Sequence, residues 1–140
     1  MKEFIIRDYY DLLNLHKALM EAKFHKNPEN EYIAGSPVIA KIMNEIVDLL
    51  SEMDPYANES EWRNWRNIGQ RRAEEELTEM EGVWERMIVS AVNDCMWSKY
   101  TFEKKKSLAQ IYLSPFIASE HELEVFVYEV DRRTANNNVH

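Results

Sequence analysis

The sequence predicts an all-α fold, a helical bundle with a long third helix that carries a heptad-like seam and a short C-terminal helix. Helix breakers are scarce, with 3 Gly and 4 Pro among 140 residues, and that scarcity favours long helices. Apolar residues recur at three- and four-residue spacing, the period of a helix with one face turned inward. No proline falls between Glu59 and Leu113. A chain of this length fits one domain, expected over residues 1–133, with residues 134–140 as a flexible tail.

In the first element Ile5, Tyr9, Leu12, His16 and Leu19 form a stripe, which predicts a helix from about residue 7 to 25. His16 reads as a histidine at the edge of the core. The stretch HKNPENEYIAGSP, residues 25–37, holds Pro28, Gly35 and Pro37 and demands a loop. Ser36 then reads as an N-cap and Pro37 as the first helical residue, where its missing amide costs nothing. Ile39, Ile42, Ile46, Leu49 and Met53 repeat at 3-4-3-4, with Val38, Met43, Val47 and Leu50 alongside. A helix so apolar around its circumference is expected at the centre of the bundle. DPYANES, residues 54–60, ends it.

From Glu59 to about Leu113 the simplest reading is one long helix, or two joined near Gly69 or Gly82. Ala73, Leu77, Met80, Trp84, Met87 and Ala91 keep a 4-3-4-3-4 seam, the repeat of coiled-coil packing. Those six residues are the expected dimer interface, because a helix that long would project beyond a small bundle. In SPFIASEHELEVFVYEVDRRT, residues 114–134, Ser119 and Glu122 fit a capping box. The valines and aromatics there would also suit a strand, but a lone strand lacks partners; helix is favoured.

Charge is uneven around a net of -8. Arg63, Arg66, Arg71 and Arg72 precede a run of glutamates from Glu74 onward, and Lys99, Lys104, Lys105 and Lys106 form a second basic cluster. An acidic chain is repelled by phosphate backbones overall, so nucleic acid is disfavoured as a partner. Trp62 and Trp65 lie on one edge with Arg63 and Arg66 beside them, and tryptophan and arginine are the residues most enriched in interface hot spots. These four are the candidate partner-binding residues; the alternative is that both indoles roof the core.

Catalytic signals are weak. The histidines His16, His25, His121 and His140 form no HExxH or i, i+4 pair, and no Gly-rich phosphate loop, GxSxG or CxxC occurs. Glu75, Glu76 and Glu79 form an EExxE pattern whose oxygens could face Mg²⁺ from one helix side. It resembles half the signature of the all-α nucleoside triphosphate pyrophosphatases of the MazG type, which implies Mg²⁺-dependent nucleotide hydrolysis. The other half, ExxD on a later helix, is missing: Ala91 stands where Glu would precede Asp94. The alternative is a solvated helix face.

Cys95 is the single cysteine. It can form no internal disulfide and is expected to be a buried, inert thiol in a reducing setting. No apolar run approaches the ~20 residues of a membrane span, and MKEFIIRDYY lacks the apolar stretch of a signal peptide. The expectation is a cytoplasmic, non-catalytic protein-binding or regulatory homodimer of the inhibitor, immunity-type or adaptor kind, without membrane contact or cofactor; the alternatives are a Mg²⁺-dependent all-α nucleotide pyrophosphatase and a nucleic-acid-associated regulator using the basic clusters at 62–72 and 99–106. Its protein partner is unidentified.

Overall fold

The computed structural model describes residues 2–78 and 82–137, and among them the chain is all α, with seven α-helices. α1 spans Tyr9–Lys23, α2 Pro37–Met53, α3 Glu59–Arg66, α4 Ile68–Thr78, α5 Val83–Val92, α6 Phe102–Leu113 and α7 Glu120–Asn137, with a single 3-10 turn at Trp97–Lys99. None of these helices is long and apolar enough to cross a membrane.

Most starts follow from local chemistry. Asp8 Oδ2 accepts from the amides of Tyr10 and Asp11 at the head of α1. Ser36 Oγ accepts from Ile39 N at 3.2 Å with Pro37 next to it, as the sequence suggests. Asn58 caps α3, Thr101 caps α6, and Ser119 and Glu122 exchange the two hydrogen bonds of a capping box before α7. Gly35 passes close beneath Tyr112: a Cβ there would lie 3.0 Å from its hydroxyl.

The expected long helix from Glu59 to Leu113 is instead four α-helices, α3 to α6, and a 3-10 turn. The first break is at Asn67, whose neighbours bond across to another segment: Ile68 N donates to Ile117 O at 3.1 Å and Ile117 N donates to Arg66 O at 2.7 Å. The exchange carries Ile68 to complete burial, and Asn67 Oδ1 accepts from the amides of Gly69 and Gln70 to restart the helix. A further helix start is at Gly82, the N-cap of α5. A Cβ on Gly82 would meet Glu75 Cδ at 1.9 Å, and Glu75 Oε1 accepts from Val83 N at 2.8 Å. At the end of α5 the chain turns at Asn93 and Asp94 before Trp97 enters the core.

α5, α6 and α7 pack together, α1 lies along α2, and α2 also meets α3 and α6. The main core is built on Trp97, Phe126, Met87, Ile88, Ala91, Leu113, Val127 and Val130. Trp97 Nε1 donates to Asp131 Oδ1 at 2.8 Å, and Lys105 pairs with the same carboxylate. A smaller cluster of Leu12, Ile46 and Leu50 joins α1 to α2, with Trp62 against it.

Three further expectations are corrected. α7 is not short: it has 18 residues and runs to Asn137, past the boundary drawn at residue 133. Cys95 is exposed, because it falls in the turn after α5 and not on a packed face. α2 is not central. It buries Ala40, Met43, Ile46, Val47 and Leu50, while Val38, Ile42, Leu49 and Met53 remain exposed.

Candidate protein-binding face

The tryptophan–arginine motif lies on α3 and divides by residue. Trp62 and Trp65 are half-buried. Their rings stand 5.6 Å apart, both meet the ring of His16 edge-on, and Trp65 continues to Phe116 at 4.9 Å. Trp62 Nε1 donates to Asp54 Oδ2 at 2.8 Å; amide donation from Tyr56 and Ala57, together with that indole, holds the Asp54 carboxyl below its usual range. Arg66 faces inward, donating to Pro115 O at 2.9 Å, Asn44 Oδ1 at 2.9 Å and Asp48 Oδ1 at 2.6 Å. Arg63 is exposed. Three of the four residues are therefore held by the chain's own packing, which favours the roof over the hot spot.

The neighbouring charges are similarly engaged. Arg71 pairs with Glu74 and lies 5.9 Å from the Trp65 ring, and Arg72 stacks 4.0 Å over Trp84. In the second basic cluster Lys105 pairs with Asp131, and Lys106 with Glu103 and Glu120.

Of the EExxE residues, Glu75 is turned back onto the start of α5, and burial raises its carboxyl above the ordinary value against the pull of the Val83 amide. Glu76 is exposed and Glu79 lies outside the described residues. No group of three His, Cys, Asp or Glu side chains among the described residues is placed to hold a metal ion.

The five described seam residues do not form one face. Ala73 is exposed and Leu77 is 85% exposed on α4. Met80 lies outside the described residues. Trp84 sits between Arg72 and Phe126, and Met87 and Ala91 are fully buried in the chain's own core. Met87 and Ala91, enclosed in that core, are unavailable to a second copy.

What the sequence reading assigned to the core, and the structure leaves outside, is the outer stripe of α2. Successive helical residues advance about 100°, so Val38, Ile42, Leu49 and Met53 fall within about 60° of one another. Lys41, Glu45, Asp48 and Glu52 flank them on one side. Tyr10 and Tyr56 are also exposed, their hydroxyls 2.8 Å apart. The signal was present in the sequence: α2 is apolar over a wider arc than one buried face needs, with charges interleaved only on a single flank.

No protein family, curated protein or solved structure matches the chain.

Proposed function

We propose that this chain is a non-catalytic protein-binding factor of the regulatory kind, an inhibitor, immunity-type protein or adaptor, that works as a homodimer paired through α2. The observation that carries this reading is the exposed stripe of Val38, Ile42, Leu49 and Met53. An exposed apolar stripe of this sort suits an interaction site.

A second copy suits the stripe because the stripe is nearly its own complement. In an antiparallel pair with the twofold axis between Glu45 and Ile46, Val38 faces Met53 of the other copy and Ile42 faces Leu49. Isologous contacts require that self-matching, and packed helices approach to about 8–10 Å. The charged flank of each helix meets the same flank of its mate, bringing Lys41 near the acidic end at Glu52. Glu45 meets its own copy at the axis and opposes the contact by like-charge repulsion.

The test is solution mass by sedimentation across micromolar concentrations. The expected result is a dimer that Leu49→Asp converts to a folded monomer, since a carboxylate in that contact loses its hydration. Lys41→Glu should weaken the dimer and Glu52→Lys added to it should restore it, while Glu45→Gln should tighten it. A wild-type chain that stays monomeric throughout that range overturns the reading.

A further inference from the structure

A cleft of about 320 Å³ opens where the loop between α1 and α2 meets the end of α5 and the last turn of α6. That volume suits a small guest. Glu31, Tyr32 and Gly35 line it from the loop, Asn93 and Asp94 from the turn after α5, and Tyr112 from α6. None of its described lining residues is lysine, arginine or histidine.

Tyr112 is 7% exposed, and its hydroxyl stands at Gly35, where an added Cβ would lie 3.0 Å away. Among the described residues nothing hydrogen-bonds to that hydroxyl, yet it is not sealed from solvent. Buried polar groups are normally satisfied, so a phenol left open inside a cleft is a place for a ligand atom. Burial and the nearby Asp94 charge push it up to about 12. Near neutral pH it is therefore an un-ionised hydroxyl with lone pairs to offer.

The carboxylates set the sign of the guest. Glu31 enters no ion pair or side-chain hydrogen bond among the described residues. Asp94 Oδ1 accepts from Met96 N at 2.9 Å, and the carboxylate faces the Tyr100 hydroxyl, which leaves it further lone pairs for a ligand. Two such charges repel an anion and attract a cation. A hard divalent cation takes about six or more oxygens, and no group of three acidic, His or Cys side chains among the described residues is placed to hold one. An ammonium is satisfied by fewer acceptors, one for each N–H, and is also drawn to the faces of tyrosine rings such as Tyr32.

We infer that this cleft binds a small primary amine in its ammonium form, which donates to Tyr112 Oη and pairs with the carboxylates of Asp94 and Glu31. No residue of α2 lines the cleft, so binding here does not depend on the dimer.

Calorimetry and amide NMR titration of the full chain with benzylammonium test the assignment. Benzyl alcohol, which lacks the charge, and benzyltrimethylammonium, which keeps the charge but has no N–H, are the counterparts. The expected result is saturable one-site binding of the amine that shifts the Gly35, Asn93 and Asp94 amide signals, with both counterparts weaker by about tenfold or more, as loss of a hydrogen bond to a charged group implies. Tyr112→Phe removes only the hydroxyl and should weaken binding about tenfold, with the melting temperature kept because that hydroxyl has no partner in the fold. Glu31→Gln and Asp94→Asn should each weaken it severalfold. If Tyr112→Phe does not fold, those two variants decide. No saturable binding by the wild-type chain overturns the inference, as does equal binding of either counterpart or unchanged affinity in the folded variants.

Discussion

Lys23 is a cation 1% exposed at the end of α1. Its Nζ donates to Ile111 O at 2.7 Å and Ser114 O at 2.6 Å, two of the carbonyls that the last turn of α6 leaves unpaired. Burial pushes the ammonium down from 10.5 to about 7. Between those two values the unfolded chain holds the proton and the folded chain releases it, so stability rises with pH across that window. Below about pH 7 both states are protonated and the penalty of burying the charge is present in full. Denaturant unfolding of the wild type and of Lys23→Met at pH 7.5 and 9.5 checks this: the balance should move in favour of the wild type at the higher pH. A constant difference would mean that the carbonyls keep the ammonium charged.

The tryptophans call for a second comparison at the same scale. Trp97→Ala should cost roughly 3–5 kcal/mol, because the indole is fully buried and its Nε1 satisfies Asp131. Trp62→Phe keeps most of the contact and loses the bond to Asp54, about 1 kcal/mol. Arg63→Ala, on the exposed side of the same helix, should stay within about 0.5 kcal/mol. Thermal melts of the three variants rank them, and an Arg63→Ala loss as large as that of Trp97→Ala would refute the division of the motif.

At the scale of elements, what was legible in the sequence was what local chemistry decides. Ser36 with Pro37, and Ser119 with Glu122, announced the starts of α2 and α7 because a cap is made within four residues. The breaks inside residues 59–113 were less legible. Asn67 interrupts a helical pattern only because Ile117, fifty residues on, exchanges backbone bonds with Arg66 and Ile68. Periodicity carries no record of such a partner. The seam from Ala73 to Ala91 keeps its spacing in the sequence from α4 to α5, although Ala73 and Leu77 on α4 are exposed while Met87 and Ala91 on α5 are buried. Gly82 was recognised as a possible joint, but the carboxylate of Glu75 that occupies the space beside it was not visible in the pattern. Asn67→Ala should cost about 1 kcal/mol by removing the acceptor at the head of α4, with Asn67→Asp nearly neutral. Equal losses in chemical denaturation would place the restart of the helix on the Ile117 exchange alone.

At the scale of the whole molecule, the central issue is which surface remains once the chain has satisfied itself. The core takes Met87, Ala91, Trp97 and Phe126; ion pairs occupy much of the basic clusters, including Arg66, Arg71, Lys105 and Lys106. α2 buries one face and presents a second apolar stripe to solvent. The same wide apolar arc that suggested a central helix is, on this account, a helix shared between two molecules. The most direct measurement of that claim is site-specific crosslinking in a Cys95→Ser background with a short bismaleimide. Glu45→Cys lies beside the twofold axis and should give a covalent dimer in high yield, whereas Leu77→Cys, on the exposed face of α4, should give little. Crosslinking at Leu77→Cys with none at Glu45→Cys would contradict the α2 dimer and return the interface to the seam.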